Sequence, residues 1–168
     1  QLWQSSENGL HAIVMDVSSC TYTLHHLRPA LTAENQAKFD KLTVIDSIDY
    51  LHDFVMPVSQ PMKKKQQIVL HPVCSLKKMY TENKLVRIAN HFAENVTVPI
   101  NAGCCGMAGD RGFLFPELTA SATAAEANEV RQKEYDGYYS STKTCEMAMS
   151  EAVGKNYESV LYLVDEAM

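Results

Sequence analysis

Short apolar runs, each bounded by residues that favour turns, recur along the chain and predict buried strands. Their β-branched and uninterrupted character is typical of parallel strands that are covered on both faces. The runs span residues 12–15, 42–45, 68–70 and 96–100, and residues 137–139 predict a further strand.

Segments with apolar residues at helical spacing lie between these runs. They span residues 47–55, 75–93, 117–135, 144–153 and 159–168, and residues 75–93 are expected to form one or two helices. Asp46 or Ser47 is placed to cap the first of these helices, and Pro116 suits the first turn of the third. Strands that alternate with helices predict an α/β fold with a mainly parallel sheet flanked by helices.

The chain also repeats a pattern, which predicts pseudo-symmetric tandem halves. Residues 46–53 and 158–165 share the order acid, Ser, aliphatic, any residue, Tyr, Leu, any residue, Asp. Upstream of each, a Ser-Ser pair precedes a cysteine, Cys20 in one case and Cys145 in the other. Matching elements in the same order argue for duplication. We expect residues 1–62 to be the last part of a half truncated at its N-terminus, and residues 63–168 to be a complete second half packed with it into one unit.

Composition narrows the function classes. The hydrophobic fraction of 46% and the charged fraction of 21% are those of an ordinary globular protein. A net charge of −5 gives no support for nucleic-acid binding through a basic surface. No apolar run approaches the roughly 18 residues of a membrane span, and the N-terminus lacks the features of a signal peptide. The chain starts at Gln1, so we expect a fragment of a longer chain.

The cysteines carry the candidate chemistry. They are Cys20, Cys74, Cys104, Cys105 and Cys145. Their odd number and wide spacing favour the reduced thiols of a cytoplasmic protein over a disulfide framework. For Cys20, the role of a small buried hydrophobe is about as good an explanation as that of a ligand.

Four of the thiols are expected at the carboxyl ends of parallel strands, where open α/β sheets place their sites. Cys74 follows a strand and precedes a helix, whose N-terminus favours thiolate. Cys104 and Cys105 follow the next strand in a glycine-rich loop that permits unusual dihedral angles. Cys145 precedes a helix after the strand at residues 137–139. The four could therefore converge.

Convergent thiolates suit zinc or an iron–sulfur cluster. Zinc sites usually contain two Cys-x₂₋₄-Cys pairs, and the chain has none. An adjacent Cys-Cys pair with distant partners on both sides favours the larger cluster. Oxidation could join Cys104 and Cys105 in a vicinal disulfide, as damage to the site.

These residues resemble the cysteine-rich CCG domain family, defined by a distant Cys, then Cys-Cys-Gly, then a closing Cys motif. The chain supplies Cys74, then Cys104-Cys105-Gly106, then Cys145. The family occurs in the B subunit of heterodisulfide reductase and the iron–sulfur subunits of glycolate and glycerol-3-phosphate dehydrogenases. The stretches HPVCSLKKM, NAGCCGMAGDRGFLFPELT and YDGYYSSTKTCEMAMS are most similar to the C-terminal iron–sulfur region of FAD-linked D-lactate dehydrogenases. The resemblance covers nearly the whole chain.

The resemblance implies an iron–sulfur electron-transfer module of a flavin-dependent 2-hydroxyacid dehydrogenase, with D-lactate the expected substrate. Cys74, Cys104, Cys105 and Cys145 would hold a 4Fe-4S cluster, with Cys20 a weaker candidate. FAD would bind the missing N-terminal part, and electrons would pass through ferredoxin-like domains of the same chain to quinone or another acceptor. The full-length protein would be cytoplasmic or peripheral at the inner face of the membrane, and this fragment by itself inactive.

The chain departs from the family at one point. The fuller motif ends Cys-x-x-Cys, but Ala148 stands at the last position here, and Thr23 stands there after Cys20. This departure counts against a five-cysteine noncubane cluster and leaves a four-thiolate site. It also counts against one alternative function, thiol–disulfide chemistry like that of heterodisulfide reductase. The other alternative is a structural or docking domain whose site is empty or holds zinc.

Three residues are expected beside the ligands, and no catalytic residue is assigned. His71 is placed to donate to a cluster sulfur or to cap a strand end. Asp110 and Arg111 are placed to tune the cluster or contact a substrate or quinone, or else to brace the loop as a local ion pair.

Overall fold

The computed structural model describes residues 1–168 and contains six strands, all paired in parallel. The strands are β1 (Ile13–Met15), β2 (Val44–Asp46), β3 (Lys65–Leu70), β4 (Ala93–Thr97), β5 (Gly137–Ser140) and β6 (Tyr157–Ser159). The parallel sheet predicted from the apolar runs is confirmed.

Helices connect and flank the strands, which confirms the α/β class. They are α1 (Leu2–Ser5), α2 (Ser18–His25), α3 (Ala33–Phe39), α4 (Ser47–Tyr50), α5 (Cys74–Met79), α6 (Glu82–Phe92), α7 (Arg111–Leu114), α8 (Pro116–Val130), α9 (Lys143–Val153) and α10 (Val160–Ala167). A π-helical turn at Leu51–Val55 continues α4, and 3₁₀ turns lie at Arg28–Ala30 and Met56–Val58.

The main sheet has four strands in the order β4-β3-β5-β6, and β1 and β2 form a separate pair. The chain leaves β3 towards β4 on one side and then returns to β5 on the other side. The order therefore reverses between β3 and β5. In open parallel sheets, the crevice at such a point, outside the carboxyl ends of the strands, is where ligands bind.

Strand β3 lies at the centre of the hydrophobic core. Its alternating side chains point to opposite faces of the sheet. Ile68 and Leu70 join a cluster that includes Leu85 of α6, while Val69 joins a second cluster with Met149 of α9. All five side chains are fully buried. Packing on both faces holds β3 in place, and the position of its carboxyl end is therefore fixed.

Residues 75–93, expected to form one or two helices, form two, because Tyr80 adopts a left-handed φ of 60° and ends α5 before α6 begins. Two other predicted boundaries were wrong. The helix expected over residues 117–135 ends at Val130. Strand β4 begins at Ala93 and ends at Thr97, earlier than the expected 96–100. Pro99 has no N–H to donate to the ladder, whereas polar residues at the start of β4 are tolerated because it is an edge strand.

The same order of elements surrounds Cys20 and Cys145, as the repeat predicts. Each cysteine is the third residue of the helix that follows a strand, α2 after β1 and α9 after β5. Asp46 ends β2 and caps the N–H of Ile48, as Ser159 ends β6 and caps that of Leu161. The sequence pattern equates Asp46 with Glu158, whereas the structure equates Asp46 with Ser159, one residue later. The division at residues 62 and 63 stays a prediction.

The packing of α6 on the sheet predicts a large stability difference between two matched truncations. Leu85→Ala should lower the free energy of unfolding by about 2–5 kcal/mol, because it leaves a cavity in the core. Leu10→Ala removes the same atoms from a side chain that is 73% exposed and should change it by less than about 0.5 kcal/mol. Urea unfolding of both variants measures the difference, and equal costs would contradict this assignment of the core.

Candidate functional site

Three chain segments bring the four predicted thiols to the carboxyl edge of the main sheet. Cys74 is the first residue of α5, shortly after β3. Cys104 and Cys105 lie in the loop that follows β4, and Cys145 lies in the first turn of α9 after β5. The segments after β3 and β5 flank the point where the strand order reverses.

Cys105 and Cys145 form the inner part of the site. Both are buried, and their Sγ atoms are 3.0 Å apart, within hydrogen-bonding distance. This contact with Cys145 lowers the pKa of the Cys105 thiol, and it raises the pKa of Cys145, whose burial adds to the effect. The pair therefore favours a Cys105 thiolate that accepts a hydrogen bond from the Cys145 thiol.

Cys74 and Cys104 form the outer, exposed part of the site. Partial desolvation raises the pKa of the Cys74 thiol, and the neighbouring Cys104 and Cys105 raise it further. Both outer thiols also contribute to the raised pKa of Cys145, after Cys105 and burial. The four thiols thus lie close enough to act on one another electrostatically, and each thiolate formed makes the next costlier.

The glycine after the cysteine pair lets the loop pack directly on α8. Gly106 has a φ of +77°, and its N–H lies 3.4 Å from the Cys104 Sγ. A Cβ at this position would lie 2.9 Å from the Cα of Thr119 and 3.0 Å from the carbonyl oxygen of Leu118. Gly109 has a similar φ of +80° but open space around it. Of these two loop glycines, only Gly106 is therefore required by both its conformation and its close approach to α8.

A buried histidine–carboxylate pair lies behind the thiols. His71 directly follows β3, and its Nδ1 lies 2.8 and 2.9 Å from the two carboxylate oxygens of Glu126 on α8. The two side chains are only 1% and 3% exposed. The His71 Nε2 is buried without a hydrogen-bond partner. The hydrogen bond from Cys145 is the main cause of the lowered pKa of Cys105, and His71 contributes to a smaller extent.

Glu126 is the residue of this site that the sequence analysis missed. It sits in an Ala-rich helix, where a glutamate is ordinarily a solvated residue that favours helix formation. The available signal was positional, because Thr119, Thr123 and Val130 share the buried face of α8 with it. A buried acid on such a face requires a partner.

The remaining predicted residues form no hydrogen bond with the four thiols. Cys20 is exposed in α2, and no hydrogen bond joins it to another thiol. Asp110 and Arg111 are exposed where α7 begins, and no salt bridge includes either one. The expected ion pair bracing the loop is therefore absent. The hydrogen-bonded thiol pair is Cys105–Cys145 rather than the adjacent Cys104–Cys105.

No three His, Cys, Asp or Glu side chains are grouped as ligands of one metal ion. The 3.0 Å contact between the Cys105 and Cys145 sulfurs is that of a hydrogen-bonded thiol pair, and the two sulfurs would have to move apart to bind either zinc or a cluster. The chemistry of the donors still suits a soft metal centre, because all four are sulfur and an unpartnered imidazole nitrogen lies behind them.

Comparison with known proteins finds no family model that matches the chain and no curated protein that matches it significantly. No helix has both the length and the apolar character needed to cross a membrane.

The short distance between Cys105 and Cys145 predicts which disulfide forms on oxidation. Treating the metal-free chain with diamide should join the tryptic peptide that carries Cys105 to the one that carries Cys145. Cys104→Ser should leave this cross-link intact and Cys105→Ser should abolish it, as peptide mass spectrometry will show. A cross-link that instead requires Cys104 would contradict the geometry of the inner pair.

The two loop glycines predict unequal costs for the same substitution. Gly106→Ala and Gly109→Ala both place a Cβ in the left-handed region, at a cost of about 1–2 kcal/mol. Only Gly106→Ala also drives that Cβ into the backbone of α8. We expect the free energy of unfolding to fall by at least about 1 kcal/mol more in Gly106→Ala than in Gly109→Ala. Urea denaturation compares the pair, and a larger loss for Gly109→Ala would refute this packing of the loop.

Proposed function

We propose that this chain is an iron–sulfur electron-transfer module in which Cys74, Cys104, Cys105 and Cys145 hold a 4Fe-4S cluster. The observation that carries the proposal is the convergence of these thiols from three segments at the edge where the strand order reverses. Cysteine thiolates are the standard ligands of such clusters. When bound, the cluster would supply reversible one-electron transfer.

The four thiols differ in exposure, and the site therefore has a buried inner part and an exposed outer part. Cys105 and Cys145 are buried and keep water from the inner side. Cys74 and Cys104 are exposed and leave the outer side open to an electron donor or acceptor. This asymmetry supports a role in electron relay, since electron exchange with a partner requires one accessible side.

The resemblance to the CCG domain family supports a more specific assignment. We propose that the module serves a flavin-dependent 2-hydroxyacid dehydrogenase acting on D-lactate, on the cytoplasmic side of the membrane. FAD and ferredoxin-like domains would lie in a preceding part of the same protein, with quinone or another carrier as acceptor. No G-x-G-x-x-G fingerprint opens a helix in this chain, so we expect it not to oxidise D-lactate by itself.

The inner thiol pair favours one second candidate, a dithiol that reduces a disulfide substrate. The Cys105 thiolate would attack one substrate sulfur and release the other as a thiol. Cys145 would then attack Cys105, which releases the second substrate thiol and leaves a Cys105–Cys145 disulfide. The 3.0 Å contact between the two sulfurs and the lowered pKa of Cys105 suit this exchange.

Anaerobic reconstitution with iron and sulfide tests the leading proposal. The wild-type chain should bind about four iron and four sulfide ions. Cys105→Ser should lose most of this iron, because a buried ligand is removed. Cys20→Ser is the matched control and should retain it, since Cys20 is exposed and forms no hydrogen bond with any of the four thiols. Iron and acid-labile sulfide analysis, with the visible absorption of the cluster, provides the measurement.

The outcomes separate the candidates. Equal loss of iron in both serine variants would contradict the assigned ligand set. A wild-type chain that binds no iron, yet reduces a small disulfide with formation of the Cys105–Cys145 cross-link, would support the dithiol instead. A chain that neither binds iron nor reduces a disulfide would contradict both candidates and favour the structural or docking domain.

A further inference from the structure

A cavity of about 390 Å³ lies between α8 and α9. Small side chains on both helices line it, namely Ala120, Ala124 and Ala127 of α8 and Ala148 and Ala152 of α9. Larger side chains at these positions would fill the space. The volume is at the lower end of the range for small-molecule sites, so the cavity suits a single small ring compound.

The side walls of the cavity are apolar and partly open to water. Phe113 and Met147 line it and are 59% and 43% exposed. An aromatic ring and a thioether both make favourable contacts with another aromatic ring. Exposed apolar side chains around a concave surface are typical of a binding site. The walls therefore favour a planar, apolar molecule, which would remove both side chains from water.

The cavity lining also includes three polar residues, Asn128, Arg131 and Glu151. The guanidinium of Arg131 donates to the Oδ1 of Asn128 at 3.1 Å and to the carbonyl of Ala152. Asn128 therefore accepts through Oδ1, and its NH₂ group makes no hydrogen bond within the protein. Both residues thus offer N–H donors to a ligand.

The charges of this lining exclude most ionic ligands. The guanidinium of Arg131 by itself would suit an anion, but the carboxylate of Glu151 also lines the cavity and forms no salt bridge. Glu151 would repel an anion, as Arg131 would repel a cation. The favoured ligand is therefore uncharged and carries an acceptor such as a carbonyl oxygen.

The cavity adjoins the inner part of the cysteine site. Met107 and Ala148 line it and belong to the same buried cluster as Cys105 and Cys145. Met107 follows Cys105 by two residues, and Ala148 lies one turn after Cys145 on α9. The hydroxyl of Thr119 contacts the Met107 sulfur at 3.7 Å and helps to hold it in this wall. A ligand that exchanges electrons with the site would therefore have a short path to it.

We propose that the cavity between α8 and α9 binds a quinone, whose ring lies against the alanines and whose carbonyl accepts a hydrogen bond from Arg131 or Asn128. A quinone is planar, apolar and uncharged, and it accepts electrons. Its binding follows from the cavity, whereas its role as electron acceptor rests on the proposed function. Two electrons, supplied one at a time through the cysteine site by a reduced flavin, and two protons from solvent would convert its two carbonyls into the hydroxyls of a hydroquinone.

Methyl NMR of the iron-free chain labelled at methionine tests the binding, with duroquinone as the probe. Duroquinone carries four methyl groups and has no free ring position to which a thiol could add. It should shift the ¹³C-methyl signals of Met107 and Met147, which line the cavity. The signal of Met62, which is 82% exposed and does not line it, should stay in place. Unchanged signals for Met107 and Met147 would overturn the inference.

Two neighbouring alanines of α8 provide a matched pair of variants. Ala124→Leu places a larger side chain in the cavity and should weaken duroquinone binding at least about tenfold. Ala125→Leu adds the same atoms at an exposed position outside the cavity and should leave the affinity unchanged. Leucine and alanine are both good helix formers, so α8 should persist in each variant. Equal affinities of the two variants would contradict the location of the site.

Durene, which has the same methylated ring without the carbonyls, tests the polar lining. Arg131→Met keeps an unbranched side chain but removes the N–H donors. It should weaken duroquinone binding at least about tenfold, because a hydrogen bond from a charged donor is lost. It should leave durene binding unchanged, which would also show that the cavity is still formed. An equal effect on both probes would overturn the assignment to a quinone.

The cavity and the cluster can fail separately, because the NMR experiment needs no iron. Duroquinone binding in a chain that takes up no iron would support the cavity and contradict the cluster, and iron uptake without binding would do the reverse. In a reconstituted chain reduced with stoichiometric dithionite, Ala124→Leu should slow oxidation by limiting duroquinone about tenfold, in line with the affinity. Oxidation by ferricyanide, which is an anion, should keep its rate. Equal slowing with both oxidants would contradict the cavity as the route.

Discussion

The parallel pairing of β3 with β5 is the constraint on which the rest of the structure depends. Its register sets Leu70 opposite Tyr139, so that the two strands end at the same edge of the sheet. Cys74 follows one strand and Cys145 follows the other, and their convergence is a consequence of that register. Because side chains alternate between the faces of a sheet, a slip of one residue would reverse the buried faces of β5 and displace both cysteines.

Packing around this pair of strands then sets the electrostatics of the site. Burial of Cys105 and Cys145 makes a second thiolate costly, which is why the pair favours one thiolate and one thiol. Burial also makes the carboxylate of Glu126 dependent on His71. The inner side of the site therefore combines two buried thiols with a buried histidine–carboxylate pair, while the outer thiols are exposed to solvent. That combination suits a centre that gains and loses electrons beneath an accessible surface.

Much of this arrangement could be predicted from the sequence because its signals are local. The β-branched residues of β3 and the Pro116 start of α8 indicate their elements directly. The convergence of Cys74 and Cys145 followed from a general property of parallel sheets. Strand β6 was missed, because Tyr157-Glu158-Ser159 lacks the apolar run that marks the equally short strands β1 and β2. Helix α2, with weak amphipathic character, was also missed.

The site could be predicted only in part, for a related reason. The sequence predicts that the four thiols converge, but the contact between Cys105 and Cys145 depends on the path of the glycine-rich loop across α8. The partnership of His71 and Glu126 joins residues 55 positions apart, and neither residue type by itself marks it. Long-range pairing of this kind depends on the tertiary fold, which local propensity does not specify.

X-ray absorption at the iron edge of the anaerobically reconstituted chain tests the central claim most directly. A 4Fe-4S cluster on Cys74, Cys104, Cys105 and Cys145 predicts a first shell of sulfur only, followed by scattering from neighbouring iron atoms. A first shell containing nitrogen or oxygen, or the absence of iron–iron scattering, would contradict the account.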